Sequence, residues 1–551
     1  MKKPAKTIPI MIALIWGVSS VGAFGAAQEK PLTVAEQSGF KATSRYADVR
    51  DFIHKLQALS PYLRVETMAT STEGRSIPLL VIGNPLPSPR PPQGSGGRGV
   101  IYIQANIHAG EVEGKEASLM LARDILLAPD LPYLDKLVLL IAPIFNADGN
   151  ERISPESRKH QGGPEQGVGV RHNGQNLDLN RDSIKLESPE LRGLVANVLL
   201  RWDPLLLVDC HTTNGAYHQE VVTYSWGLNP NGDSTIVAYQ KDKMMPEIEA
   251  VLEKKYGTPA VGYGGFRDYR APEKGWETFE PQPRYVTNYI GLRNRLSILD
   301  ENYVYADFKA RVMGNYNFLR ATLDYCAAHL EEIGKLVAEA DRRAVLRGTR
   351  PSDQTTFFVE YDLRPLQNPV TVHAYETVVI PRGEGQRPEI RATDKVEVHT
   401  VPYYSDWVGK RSVQFPYAYV LGVPDSEVLA RLRQHGLLVE KLTEAATLEV
   451  EVFRVKELKS EERSYQGHHL NQVKGECAVE TKIFPVGTFI IPTAQPLGGL
   501  AAYLLEPESD DGFLVWNFFD RYIVPQWSRE LQTYPVYKLM NPANLVREIA
   551  D

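Results

Sequence analysis

The sequence predicts an α/β fold, a mixed sheet flanked by helices, followed by a mainly β C-terminal accessory domain. Three observations predict it. The runs Val100–Ile107, Leu137–Phe145, Leu205–Cys210 and Leu296–Leu299 are apolar, and each ends in polar residues. Stretches of helical periodicity lie between them. After about residue 350 the pattern changes to alternating or β-branched segments bounded by turn residues. Polar residues gathered at strand ends are where α/β sheets place their ligands.

At the start, Lys2, Lys3 and Lys6 precede the apolar stretch Ile8–Val21, which runs into small residues at Gly22–Ala27. That is the pattern of a secretory signal peptide over 1–27, cleaved after Ala27. Cleavage removes three lysines and no acidic residue, taking the net charge from −7 to −10. No cysteine lies at the junction, so a lipid anchor there is not expected, and no second membrane-span candidate follows.

The catalytic domain is expected over 28–345. Residues 28–44 read as a leader, Tyr46–Leu63 as a helix and Arg64–Ile82 as short strands. Asn84–Gly99 is a Pro/Gly-rich surface loop before the Val100 strand, and a helix follows at about Glu113–Leu127. The Leu137 run ends in Asn146-Ala147-Asp148-Gly149, a turn signal. Residues 150–175 are polar and Gly-rich, long enough for a functional loop over a site. Helices at about Pro189–Trp202, Val237–Tyr256 and Asp307–Val345 cover the sheet, and Gly262–Thr287 forms part of a substrate wall. Over 346–551, Thr355–Leu363, Val370–Ile380, Lys395–Tyr404 and Ala446–Val455 read as strands, interrupted by a helix at Ser426–His435. Pro496–Leu505 and Trp516–Phe519 form an apolar and aromatic cluster, and this mainly β domain is expected to pack on the catalytic one.

At 551 residues the chain should hold two or three domains. A hydrophobic content of 43% and a charged content of 23% are those of a soluble globular protein. A net charge of −7 without a long basic tract excludes nucleic acid and anionic membrane surfaces as obvious partners. Three cysteines allow at most one disulfide. Cys210 adjoins His211, but strand neighbours face opposite sides, so its thiol should point away from any metal there.

Three distant pieces fit one zinc site: His108-Ala109-Gly110-Glu111, Asn176-Leu177-Asp178-Leu179-Asn180-Arg181, and His211. A His-x-x-Glu pair with a distant His gives three ligands and leaves a fourth position open for water. The Asn180-Arg181 pair is suited to clamping a carboxylate. Together they point to a metallopeptidase that recognises a free C-terminus. The His-x-x-Glu spacing also occurs at His329/Glu332, in a helical pattern, and at His373/Glu376, in a strand where i and i+3 diverge. Only His108 follows an apolar strand and precedes a helix. His468-His469 is expected to be an exposed loop pair.

In order along residues 45–335, His108-Ala-Gly-Glu111, Asn146-Ala-Asp-Gly149, Asp178-Leu-Asn180-Arg181, Ser188-Pro-Glu190, Asp209-Cys-His211 and Gly291–Glu301 resemble the zinc carboxypeptidase family, the carboxypeptidase A/B type, and especially its secreted bacterial members. The resemblance implies His108, Glu111 and His211 as ligands of one zinc ion. It implies Asp178 as the carboxylate that orients His108, Asn180 and Arg181 as the grip on the substrate carboxylate, and Glu301 as the general base. Arg171 matches the arginine that stabilises the oxyanion, with Arg158 as a competitor. Tyr289 or Tyr285 matches the tyrosine that closes over substrate. Gly110 stands where digestive members carry an arginine, and Ala147 stands where the turn usually has proline.

The expectation is an exported, periplasmic or extracellular metallocarboxypeptidase acting on peptides with a free C-terminus, in an oligomeric state the sequence does not give. The alternatives are a zinc amidase or deacylase of N-acyl amino acids or cell-wall peptides, and a catalytically inactive peptide-binding protein.

Overall fold

The computed structural model describes Met1 and residues 30–88, 97–213, 216–352, 354–383, 385, 389–528 and 530–550. The signal-peptide segment 1–27 therefore lies almost wholly outside the described residues. Among those described, no helix is long and apolar enough to cross a membrane.

Among the described residues ten strands precede residue 304: β1 (Leu63–Thr70), β2 (Ser76–Ile82), β3 (Gly99–Ala105), β4 (Leu137–Ala142), β5 (Leu206–Thr213), β6 (Val222–Trp226), β7 (Ala260–Gly262), β8 (Gly265–Phe266), β9 (Trp276–Glu277) and β10 (Leu296–Tyr303). Eight form one sheet in the order β1-β2-β4-β3-β5-β10-β6-β7. Its centre, β4-β3-β5-β10, is parallel, and antiparallel partners flank it at β2 and β6. Every residue of β3, β4 and β5 is buried, as expected of parallel strands covered on both faces.

Helices Tyr46–Leu59, Glu113–Leu126, Pro189–Leu194, Met245–Tyr256 and Phe308–Ala328 accompany this sheet. Two expected helices are less regular than the apolar periodicity suggests. Pro189–Trp202 passes through a π-turn at Val195–Leu199, and the segment Ser234–Tyr256 through another at Gln240–Met244. The expected single helix Asp307–Val345 is two helices, Phe308–Ala328 and Leu330–Thr349, broken at His329. No glycine or proline marks that break; the His329 ring stacks on Tyr325 with centroids 4.2 Å apart.

The C-terminal part is strand-rich. Strands β11 (Thr356–Pro365), β12 (Val370–Ile380), β13 (Glu389–Val401) and β14 (Tyr403–Gln414) come first. The expected strand Lys395–Tyr404 is divided at Pro402, which has no N–H for a ladder, into the end of β13 and the start of β14. A seven-stranded sheet follows, dominated by the long hairpin Ala446–Ser460/Asn471–Phe484. The helix Gly498–Leu505 within the expected apolar cluster is buried at every position but Gly499.

The two parts are joined more deeply than by surface packing. Strands β11, β14, β9 and β8 form one sheet, with Tyr403 and Tyr404 of β14 paired in parallel with Trp276 and Glu277 of β9. One buried apolar cluster also runs continuously from Ala35 through the main sheet to Trp516 and Ile523.

Candidate metal centre

The turn after β3 is built by two asparagines. Asn106 adopts a left-handed φ of 67°, which a short amide side chain tolerates by bonding locally. Its Nδ2 donates to the carbonyls of Ala109 and Glu111. Asn146, after β4, donates to Ile107 O and Arg171 O and accepts from Gly149 N. These bonds hold the turn that carries His108 and Glu111. The β10–β5 register then places Glu301 directly beside His211. With period-2 alternation both side chains share one face, while Cys210 and Asp300 share the other.

His108, Glu111 and His211 converge, with one potential ligand atom from each lying within 4.8 Å of the others. His108 Nδ1 is 3.2 Å from Glu111 Oε1, and His211 Nδ1 is 2.9 Å from Glu111 Oε2. The opposite ring nitrogens are held by carboxylates: His108 Nε2 lies 3.0 Å from Asp178 Oδ1 and His211 Nε2 lies 2.9 Å from Asp209 Oδ2. A proton on Nε2 leaves Nδ1 as the ligating atom on both rings, and such outer carboxylates fix the tautomer and raise ligand basicity. Asp209 is itself braced by Gln104 Nε2 at 2.9 Å.

The donor set fits zinc on two further counts. His108 Nδ1 is buried with no hydrogen-bond partner among the described residues. Both nitrogens of His211 face carboxylates, the arrangement of a protonated imidazole. Burial alone pulls the His211 pKa down, but Asp209 and Glu111 outweigh it and hold it well above its ordinary value. Burial likewise pushes Glu111 up, and the charges of His108 and Arg158 outweigh it, leaving the carboxyl well below the usual range. Asp178 follows the same logic: burial raises it, and His108 and Arg171 bring it down further. A dication between the three side chains would take the place of the His211 proton.

Glu301 behaves differently. Its Oε2 is buried without a hydrogen-bond partner among the described residues. Burial pushes it up to about 8, with Glu111 adding to the rise and His211, Arg158 and Arg171 opposing it. His108, Glu111 and Glu301 line a cavity of roughly 380 Å³ together with Arg171, Asn180, Arg181 and Tyr285.

The two candidate arginines separate by geometry. Arg158 Nη1 donates to Glu111 Oε1 at 2.9 Å and Nη2 to Thr212 O, so its guanidinium braces Glu111. Arg171 donates from Nε to Asp178 Oδ2 at 2.8 Å, keeps 35% of its side chain exposed and lines the cavity. The candidate tyrosines separate too. Tyr289 is 1% exposed, and its hydroxyl lies 2.8 Å from His435 Nδ1, so it is a core residue and does not reach the cavity. Tyr285 does, with its ring 4.2 Å from the Arg181 guanidinium.

Gly110 has no room for the arginine that digestive relatives carry. A Cβ there would lie 2.7 Å from Arg158 Cδ and 2.9 Å from Gly169 O. The other His-x-x-Glu matches are accounted for separately: His329 pairs with Glu332 at the surface, and His373 bonds Glu220. His468 is not a free loop residue, because its Nε2 lies 2.7 Å from Glu187 Oε1. Among the described cysteines none is in a disulfide, and Cys210 is buried. Sequence reading did not single out Asn106, Gln104 or the role of Arg158. The Asn after each strand was visible, but its two carbonyl partners were not.

Residues 49–191 match the family model described as zinc carboxypeptidase. The chain is similar to carboxypeptidase 2 of Trichophyton equinum, 22% identical over 511 residues that span 85% of this chain and 81% of that protein. It is also similar to carboxypeptidase 2 of Trichophyton rubrum, 21% identical over 91% of this chain and 87% of that one. A solved metallo-carboxypeptidase from Burkholderia cenocepacia aligns over 51% of this chain and 69% of its own at 18% identity and a TM-score of 0.37. The family match covers His108, Glu111, Asp178 and Arg181, and the fold brings His211 and Glu301 to them. Over residues 49–191 the chain is thus similar to the zinc carboxypeptidase family, and these findings support a hydrolase of the metallocarboxypeptidase type whose His108, Glu111 and His211 could hold zinc.

Proposed function

We propose that the protein is an exported metallocarboxypeptidase that hydrolyses the C-terminal peptide bond of peptides, with Glu301 as general base. The observation that carries this reading is the in-register pairing of Glu301 with His211, with Glu301 Oε2 buried and, among the described residues, unpartnered beside the ligand cluster. From there the carboxylate can take a proton from the water that attacks the scissile carbonyl. It can return that proton to the leaving nitrogen as the C–N bond breaks. Zinc, when bound by His108, Glu111 and His211, polarises the carbonyl and acidifies water. The elevated Glu301 pKa favours a group that both accepts and returns a proton near neutrality.

Arg171 is the candidate for the developing oxyanion, since its guanidinium reaches the cavity while Asp178 fixes one edge. Arg181 and Asn180 are the candidates for the terminal carboxylate, and Tyr285 is better placed than Tyr289 to close over substrate. Export rests on the sequence of residues 1–27, and the division into catalytic 28–345 and accessory 346–551 regions rests on the change of pattern near residue 350.

A peptide library digested by the mature chain and read by mass spectrometry tests the reading, with chelator and Glu301→Gln as controls. Stepwise loss of C-terminal residues, abolished in both controls, is the expected result. Loss of general acid–base catalysis should cost on the order of a hundredfold or more in turnover. Intact peptides alongside cleaved N-acyl amino acids or murein peptides would replace the reading with an amidase or deacylase. No cleavage of any of these would favour the binding-protein alternative.

A further inference from the structure

The tip of the long C-terminal hairpin reaches the segment that carries Asp178, Asn180 and Arg181. Between its strands, Tyr465-Gln466-Gly467-His468 closes a two-residue turn: Tyr465 N bonds His468 O at 2.7 Å and His468 N bonds Tyr465 O at 3.0 Å. Gln466 and Gly467 have φ of 52° and 82°, the left-handed pair that tight hairpin turns require. Glycine suits such a position, whereas glutamine there is uncommon and strained. Strain of this kind persists when the surroundings over-determine it.

The surroundings here are the metal centre's own supports. Gln466 Oε1 accepts from Asp178 N at 2.8 Å, and His468 Nε2 meets Glu187. Tyr465 Oη accepts from Arg181 Nε at 2.9 Å, a bond spanning 284 residues of sequence. Tyr465 is mounted rigidly: its ring stacks on Trp516, and the Arg284 guanidinium lies over both rings. Arg284 is in turn tied to Asp511, which also accepts from Trp516 Nε1.

Arg181 is thus held on three sides. Tyr285 covers its face, Asn180 O takes one Nη1 hydrogen, and Tyr465 takes Nε. Among the described residues Nη2 has no hydrogen bond, and Arg181 lines the cavity. A guanidinium has five donors in a fixed plane, so fixing Nε fixes the direction of the remaining edge.

We propose that Tyr465 is a positioning residue for carboxylate recognition: from the C-terminal region, its hydroxyl orients Arg181 so that the free guanidinium edge faces a substrate's terminal carboxylate. The inference rests on the reading that Arg181 receives that carboxylate. It gives the C-terminal region a part in specificity, because a C-terminal amide offers no negative charge for the oriented edge.

The test compares the full-length, zinc-loaded parent with Tyr465→Phe, which keeps the ring and its stacking and removes only the acceptor. Binding of N-acetylated amino acids and of their amides is measured by calorimetry, and peptide cleavage is followed where it occurs. Zinc content and melting midpoint establish that the variant is folded. Affinity for the carboxylates should fall about tenfold, the worth of a hydrogen bond to a charged group, with the amides unaffected. KM should rise in parallel while kcat stays within about twofold. Carboxylate affinity within about twofold of the parent would overturn the proposal. So would an equal loss for acids and amides, which a purely structural role predicts. If the parent binds the acids without cleaving any peptide, the hydrolase reading fails and the affinity ratio alone decides the role of Tyr465. If the parent binds neither acids nor amides, Arg181 is not a carboxylate site and both readings fall.

Discussion

His108 and His211 present Nδ1 inward because Asp178 and Asp209 occupy Nε2. Replacing Asp178 by Asn keeps the shape but removes the charge that makes His108 a strong ligand. Zinc affinity should fall about 10–100-fold, read by competition with a chelator of known affinity. His211 gives a second prediction. Burial favours its neutral form, yet Asp209 and Glu111 hold its pKa well above the ordinary value, which favours the protonated ring in the metal-free site. Zinc uptake must displace that proton. Titrations at pH 7 in buffers of different ionisation enthalpy should show proton release, and apparent affinity should climb as pH rises. Uptake with no proton exchange would show that His211 is already neutral.

At the scale of elements, the helix Glu113–Leu126 lies close against β5 through Gly114. A Cβ there would sit 2.5 Å from Cys210 Cβ and 3.1 Å from Ala105 Cβ. Gly114→Ala should cost about 1–3 kcal/mol by overpacking, read as a lowered urea midpoint, despite alanine's better helix propensity. The helix Pro189–Leu194 carries a pH dependence. Glu190, with Asn173 as its side-chain partner, is pushed by burial from the usual 4.5 up to about 7. A raised folded-state value means that stability from this group is fully present below pH 4.5 and lost as pH rises through 7. Glu190→Gln should therefore be more stable than the parent at pH 8 and lose that advantage at pH 4.5, as denaturant midpoints would show.

For the whole molecule, the shared sheet β11-β14-β9-β8 and the continuous core argue that the C-terminal region stabilises the N-terminal one. The full chain should unfold in one transition by fluorescence and circular dichroism alike. A chain ending at residue 349 should lose that cooperativity, because β8 and β9 would lose β14 and the core its C-terminal side. The sequence by itself determined the candidate set, His108, Glu111, Asp178, Asn180, Arg181, His211 and Glu301, and the apolar strands beside them, because those signals are local: fixed spacings, strand ends and periodicity. What register adds is the shared face of His211 and Glu301, which follows from alternation once β5 and β10 are neighbours. Tertiary structure alone decided which arginine faces the cavity and which braces Glu111, and that Tyr285 rather than Tyr289 lines the site. It also decided that Tyr465 arrives beside Arg181 from another sheet. Those outcomes depend on how distant surfaces pack, and packing between elements leaves no period or spacing in the chain for a reader to find.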